Sequence, residues 1–408
     1  MSLVGDAFAD DEGSARKRAR PSAVAGLVDR AFPVLEAGRL QVVLPNGAKI
    51  LRNGDSAGPE ATMTVHRWRA LWRMLLGGDH GFADGYLDGD WSTPDLGLLL
   101  ELFMRNESVL TPQADDSWVG LARHRLAHWW NANSRRGSRR NIAAHYDLGN
   151  DFFLPWLDGA MNYSSALYAD GDTLEAAQQR KLDRATSLLD LRGGEHVLEI
   201  GCGWGALAER LVRRHGTKVT GLTLSMEQLA YTQARLADGI ERGCADIGLR
   251  DYRDVDGCYD RIVSIEMIEA VGERYWPVYF AKLRASLREG GTALLQAITI
   301  HESRFAAYRQ RADYIQRHIF PGGLLPTASI IEREARRAGL KLVHRESFGD
   351  SYAKTLREWR SRFLRAWPVI EPLGFNERFR RMWEYYLVYC EVGFRFGVID
   401  VSFFKLVG

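Results

Sequence analysis

The chain has 408 residues, 46% of them hydrophobic and 26% charged, and its formal net charge is +2. That is the composition of a soluble globular protein, long enough for a large core and for two domains. So small a net charge gives no reason to expect a polyanionic partner. Cys202, Cys244, Cys258 and Cys390 form no CxxC pair or metal spacing, which excludes an evident zinc site and fits reduced thiols in a cytoplasmic setting. No apolar run approaches the roughly 18 residues of a membrane-spanning helix. The first residues also lack the apolar core of a signal peptide, so any membrane contact is expected to be peripheral.

Residues 1–22 read as a disordered tail, acidic at Asp10-Asp11-Glu12 and basic at Arg16-Lys17-Arg18. Residues 23–125 are expected to form an amino-terminal α+β domain. Alternating side chains at 40–44, the turn Pro45-Asn46-Gly47 and a second run at 48–51 predict a hairpin. A third strand is expected over 61–66 and a helix over 68–76. The stretch from Gly81 to Leu96 is punctuated by glycine, aspartate and proline, and Thr93 is the expected cap of a helix whose first position is Pro94. That helix is apolar on more than one face, which favours a core position over a lipid-facing one. Residues 126–145 read as a basic linker, with Trp129-Trp130 followed by Arg135, Arg136, Arg139 and Arg140. These suit an anionic lipid surface, nucleic acid or a solvated helix and loop equally.

From residue 146 to 408 strands and helices alternate. Strands are expected at 197–200, 218–222, 247–250, 261–265 and 292–298, with helices at 174–191, 206–211, 226–242 and 275–288. Such spacing predicts a doubly wound, mostly parallel sheet with ligands beyond the carboxyl ends of its strands. Two long helices and a strand-like run at 394–406 complete the chain.

The stretch His196-Val197-Leu198-Glu199-Ile200-Gly201-Cys202-Gly203-Trp204-Gly205 is a buried strand, a tight turn and the start of a helix. Glycines there accept positive φ and let a ligand lie against the backbone. Strand-Glu-x-Gly-x-Gly-x-Gly is a moderately specific sign of an S-adenosylmethionine site. Glu199 is placed to meet the amino group of the cofactor's methionine part. The next strand ends without the usual acidic residue for the ribose and offers Thr223 and Gln228 as neutral hydrogen-bonding partners.

Further stretches then follow in order: Tyr163-Ser164-Ser165-Ala166, Asp251-Tyr252-Arg253-Asp254, Met267-Ile268-Glu269-Ala270-Val271-Gly272, Leu295-Gln296-Ala297-Ile298-Thr299 and Ile319-Phe320-Pro321-Gly322-Gly323. In this order the chain resembles the cyclopropane-fatty-acyl-phospholipid synthases, over nearly everything after about residue 35. The resemblance implies a class I S-adenosylmethionine methyltransferase fold, Rossmann-like with a seven-stranded sheet, carrying inserted lid helices and preceded by the amino-terminal α+β domain at 23–125, which would dock on lipid. The implied cofactor site comprises Tyr163, Ser164, Glu199, Gly201, Gly203, Trp204, Gly205, Thr223, Leu224, Gln228, Tyr252 and Arg253, and no metal. His145, Tyr146 and Asp147 are candidates to close over it.

In that family the π bond of a cis-unsaturated acyl chain takes a methyl group from the sulfonium, leaving a carbocation on the lipid. Loss of a proton from the new methyl group then closes a three-membered ring. The implied base is a bound bicarbonate ion, held by Glu269, Tyr352, Gln296 and the backbone amides of Ser165 and Ile298. Ser165 stands where many members have cysteine and Gln296 where many have histidine; glutamine donates a hydrogen bond but does not titrate. The same combination resembles a branch that includes both plant-type cyclopropane synthases and bacterial enzymes that install a methyl or methylene branch, so a branched product is the alternative to the ring. A non-catalytic lipid-binding homologue is the remaining alternative. The resemblance further implies an unsaturated phospholipid substrate met at the inner face of a membrane, no nucleic-acid partner, and the option of a homodimer. Arg309, Arg311, Arg317 and His318 are candidates to meet lipid phosphate, with a solvated basic face as the other reading.

Overall fold

A computed structural model describes residues 26, 31–32, 34–110 and 148–408. The expected tail at 1–22, the basic linker at 126–145 and the trio His145, Tyr146 and Asp147 lie outside the described residues.

In the amino-terminal unit, β1 (Leu35–Val43) is flanked by two arms of one long strand, β2 (Lys49–Val65). Leu40 pairs with Arg52 on one side and Ala61 on the other. The third strand expected at 61–66 is therefore the second arm of β2, which β3 (Trp91–Ser92) extends. Helix α1 (Arg69–Leu87) runs on through the segment that the sequence punctuates, with a kink at Gly78 (φ 51°, ψ −133°). Small size explains this: a Cβ at Gly85 would lie 2.9 Å from Trp91 Cδ1, and one at Gly81 would collide with the Arg73 carbonyl. The cap of α2 (Leu96–Arg105) is Asp95, two residues later than expected. Asp95 holds an extended backbone and its carboxylate accepts from the Leu98 amide, while the Thr93 hydroxyl bonds the Asp95 carbonyl instead. Leu96, Leu99, Leu100 and Leu102 are buried, as expected of a core helix.

The larger unit is built on a seven-stranded sheet in the order β6-β5-β4-β7-β8-β10-β9. Its members are β4 (His196–Ile200), β5 (Lys218–Thr223), β6 (Ala245–Leu249), β7 (Tyr259–Ile265), β8 (Leu287–Ile300), β9 (Lys341–Ser347) and β10 (Ile399–Val407). Strands β4 to β8 pair in parallel, and β10 runs antiparallel to both β8 and β9. This is the α/β architecture expected, and its chain order reverses at β4, where the Gly201–Gly205 turn emerges. The segments before and after the sheet close one aromatic core. Helix α3 (Leu174–Leu188), capped by Thr173, is followed much later by α4 (Gly349–Ile370) and α5 (Glu377–Arg395). Trp383 of α5 packs 4.9 Å from Phe152 and 5.4 Å from Tyr386, ring centre to ring centre. Because α5 continues to Arg395, the last strand starts five residues later than expected, at Ile399. Among the described residues no helix is long and apolar enough to cross a membrane.

Candidate active site

The turn after β4 takes positive φ at Gly201 (81°), Gly203 (53°) and Gly205 (82°). That conformation strongly disfavours a side chain. It lays the backbone open to a cavity of about 1200 Å³, lined there by Gly201, Gly203, Thr223, Leu224, Gln228, Tyr163 and Tyr252. Thr223 and Gln228 bond each other at 2.8 Å on the cavity wall. The remaining expected cofactor residues stand behind them. Trp204 donates to Asn150 at 2.7 Å, the Ser164 hydroxyl accepts from Lys181 at 2.8 Å, and Arg253 forks onto the buried carboxylate of Asp251. Glu199 is buried, and its Oε2 has no hydrogen-bond partner. A buried acceptor left open at the head of a glycine cradle fits a ligand ammonium group, as S-adenosylmethionine presents. At Gly205 a Cβ would lie 2.6 Å from Thr232 Cγ2. Gly205→Ala is therefore expected to weaken cofactor affinity by roughly tenfold or more, given strain of about 1–3 kcal/mol at such positions. Calorimetric titration that finds an unchanged Kd would contradict this.

Deeper along the cavity two carboxyl groups stand on its wall, Glu266 and Glu269. The donors expected to hold a bicarbonate ion together with Glu269 divide between the two carboxyls instead. Tyr352 donates to Glu266 at 2.7 Å, the Ser165 amide at 2.8 Å and the Gln296 side chain at 2.7 Å. Glu269 takes the Ile298 amide at 2.5 Å, and its other oxygen is buried without a partner. Each donor is fixed from behind: Gln296 sits in β8 between Ile265 of β7 and Phe403 of β10, and Tyr352 stacks 4.5 Å from Phe394. Ser165 contributes its backbone, since its hydroxyl turns back to the Ala166 carbonyl. Glu266 itself adopts φ 50°, in the left-handed region that a non-glycine residue seldom holds. Its amide is anchored on the Gln296 carbonyl at 2.7 Å.

Burial raises the pKa of both carboxyls. Glu269 is pushed up to about 8, with the charge of Glu266 adding to burial. Three hydrogen-bond donors and nearby Lys181 act in the opposite sense on Glu266. Of the two, Glu266 is the carboxyl whose surroundings favour the charged form, and Glu269 the one that burial and its neighbour hold toward the protonated form. Lys181, also buried, has its pKa lowered to about 8 by desolvation, against the pull of Glu266, Asp158 and Glu199. The sequence reading missed Glu266 and Lys181. The one available signal was that Glu266 directly follows a strand, three residues before the glutamate singled out.

The basic residues proposed for lipid phosphate are mostly engaged. Arg309 pairs with Glu273 and Arg317 with Asp84, His318 is held neutral by burial, which lowers its pKa to about 4, and Arg311 is on the cavity wall. From the cofactor end the cavity continues between the two units, reaching Met74, Leu75, Phe82, Leu100, Phe103 and Met104 of α1 and α2. Those side chains are apolar, as an acyl chain requires.

Known proteins resemble this chain in sequence and fold. The family model described as mycolic acid cyclopropane synthetase matches residues 133–404. The chain is 42% identical over 365 residues to the tuberculostearic acid methyltransferase UfaA1 of Mycobacterium tuberculosis, covering 86% of this chain and 84% of that one. It is 36% identical over 335 residues to the cyclopropane-fatty-acyl-phospholipid synthase of Escherichia coli, covering 82% and 84%. The crystal structure of mycolic acid cyclopropane synthase CmaA1 with SAH and CTAB superposes with a TM-score of 0.62 at 33% identity, over 66% of this chain and 97% of that one. The fold is thus that of a class I methyltransferase, and the activity is S-adenosylmethionine-dependent cyclopropanation or methylation of lipid acyl chains. The chain belongs to the mycolic acid cyclopropane synthetase family.

Proposed function

We propose that the substrate is a cis-unsaturated acyl chain of a phospholipid, and that Glu266 is the base that completes the reaction. The observation that carries this is the convergence of Tyr352, Gln296 and the Ser165 amide on one carboxylate. Bicarbonate does not fit as the base here, because three of the donors expected to hold it, Tyr352, Gln296 and the Ser165 amide, are spent on Glu266 and the fourth, the Ile298 amide, on Glu269, and a second anion would face the Glu266 carboxylate. When bound, S-adenosylmethionine supplies an electrophilic methyl group on sulfonium. The π electrons of the acyl chain form the new carbon–carbon bond as the sulfur–carbon bond breaks, and the other alkene carbon becomes cationic. Glu266 accepts a proton from the transferred methyl group. Tyr163, Tyr352 and Tyr386, which line the cavity, present aromatic faces that stabilise the cation without adding to it. Apolar walls keep out water, which would trap the cation as an alcohol.

If the proton leaves at once, the freed electron pair closes a cyclopropane ring, the product to which the family description points. If a hydride first migrates from the methylated carbon, loss of a proton from the same methyl group leaves a methylene branch. The 42% identity to a tuberculostearic acid methyltransferase favours this second reading. Labelled S-adenosylmethionine incubated with vesicles of unsaturated phospholipid should place label in the acyl chains, and saturated vesicles should take none. Absence of label with cofactor demonstrably bound would overturn the proposal. Proton NMR separates the products through the upfield ring signals.

Glu269 acts in this scheme as a neutral neighbour. Above pH 8 it ionises beside Glu266, so turnover should fall on the alkaline side. Glu269→Gln should retain turnover within about tenfold and move that fall to higher pH. An acid whose folded pKa is raised costs stability as pH rises from its ordinary value through 8, and the same substitution should remove that loss. A pH profile of kcat/KM in which Glu269→Gln abolishes turnover would refute this role.

A further inference from the structure

Helix α3 turns two polar side chains toward the interior. Gln178 and Lys181, three residues apart and so on one side of the helix, are 0% and 1% exposed and sit among the buried Leu174, Ala177, Leu182 and Ala185. Both close on Ser164. The Gln178 side chain donates to the Ser164 carbonyl at 2.8 Å, and the Lys181 ammonium donates to the Ser164 hydroxyl at 2.8 Å. That carbonyl belongs to the same planar peptide unit as the Ser165 amide, which donates to Glu266 at 2.8 Å. Holding the oxygen therefore aims the N–H at the carboxylate.

The ammonium has a second bearing on Glu266. It carries three N–H donors, yet the Ser164 hydroxyl is its one hydrogen-bond partner among the described residues. A buried charge so poorly solvated is costly unless opposite charge compensates it. The charged groups that face it are Glu266, which follows β7, Asp158 in the segment before Tyr163, Glu199 in β4, and Arg210 on the helix Ala206–His215. Glu266 pulls hardest, ahead of Asp158 and Glu199, and Arg210 opposes. Asp158 already accepts from the Ala160 and Asn162 amides and the Asn162 side chain. On the far side of Glu266 stand Glu269, whose charge would oppose that of Glu266, and the Tyr352 hydroxyl.

We propose that Gln178 and Lys181 are positioning residues for the proton acceptor: together they clamp Ser164 so that the Ser165 amide meets Glu266, and Lys181 supplies the buried positive charge that favours its ionised form. Gln178 acts by geometry alone, Lys181 by geometry and charge. The effect on turnover rests on the reading of Glu266 as the base, whereas the effect on its ionisation does not.

Infrared difference spectra of the full chain, recorded across a pH titration, follow the carbonyl stretch of protonated Glu266, identified as the band missing from Glu266→Gln. Lys181→Met removes the charge and the anchor. Lys181→Gln removes the charge but keeps a donor for Ser164, and it serves where the methionine variant does not fold. In either, the Glu266 band should persist to a pH higher than in wild type by about one unit or more. Gln178→Leu should leave its midpoint in place. In turnover, the acid limb of the kcat profile should move to higher pH in the Lys181 variants, with kcat at about pH 6 down at least tenfold and recovering as pH rises. Gln178→Leu should lower kcat by one factor at every pH. A Glu266 band at the wild-type midpoint in the folded Lys181 variants, or wild-type kcat in Gln178→Leu with Glu266→Gln inactive, would overturn the inference. Because the infrared midpoint needs no turnover, an active Glu266→Gln would remove the base reading and leave the effect of Lys181 on Glu266 standing.

Discussion

Glu266→Gln should abolish most turnover while leaving cofactor affinity close to wild type. General bases contribute about 10²–10⁴-fold, and a loss of that size in kcat is expected because the amide cannot accept the proton. The substitution is nearly isosteric, so Tyr352 still has an oxygen to donate to. The new amide hydrogens, however, would oppose the Ser165 amide or the Gln296 side chain, which now donate to Glu266 at 2.8 and 2.7 Å. Cofactor affinity is insulated, since the glycine turn and the Thr223–Gln228 pair lie elsewhere on the cavity wall. Single-turnover measurements with saturating cofactor give the comparison. Activity within threefold of wild type would remove Glu266 from the mechanism. Paired with Glu269→Gln, the result separates two carboxyls that the sequence alone presents as equivalent.

The largest loss of stability is expected from Trp383→Ala. Trp383 is 1% exposed, stacks on Phe379 at 5.6 Å and meets Phe152, Trp156, Tyr386 and Phe153 between 4.9 and 6.3 Å. Truncation removes contacts from all five rings and leaves a cavity that so many rigid neighbours cannot collapse into, at a cost of about 3–5 kcal/mol. Phe153 also packs 5.1 Å from Trp204 and 5.4 Å from Tyr163. The damage should therefore reach the cofactor turn and weaken S-adenosylmethionine binding as well. Urea unfolding of variant and wild type measures the first effect. A difference under about 1 kcal/mol would mean that this cluster is less decisive than its burial implies.

The parallel sheet and the cofactor turn were legible because both write themselves locally. Apolar runs bounded by glycine give the strands, and three glycines alternating with larger residues permit little but a tight turn. The site was legible only in pieces. Ser165, Gln296 and Tyr352 sit on three separate elements, and nothing in their spacing says which carboxylate they meet. Ser264-Ile265-Glu266-Met267-Ile268-Glu269 offers two, and the familiar motif pointed to the second. What turns Glu266 toward the donors is a positive φ anchored on the Gln296 carbonyl, a tertiary effect. Elsewhere, local rules competed: Thr93-Pro94 and Asp95 are both reasonable helix starts, and the extended backbone at Asp95 decided between them. Strand β9 escaped notice because Lys341, His344, Arg345 and Glu346 dilute its alternation at the sheet edge, where only β10 pairs with it.

The central claim is that the carbon comes from the sulfonium methyl group and that the departing proton leaves that same carbon for Glu266. Trideuteromethyl S-adenosylmethionine tests it directly, with unsaturated phospholipid vesicles and mass spectrometry of the released acyl chains. Proton loss from the transferred methyl group predicts a product that keeps two of the three deuterium atoms, whether a ring or a methylene branch forms. Retention of all three would place the lost proton elsewhere on the chain and contradict the assignment of Glu266.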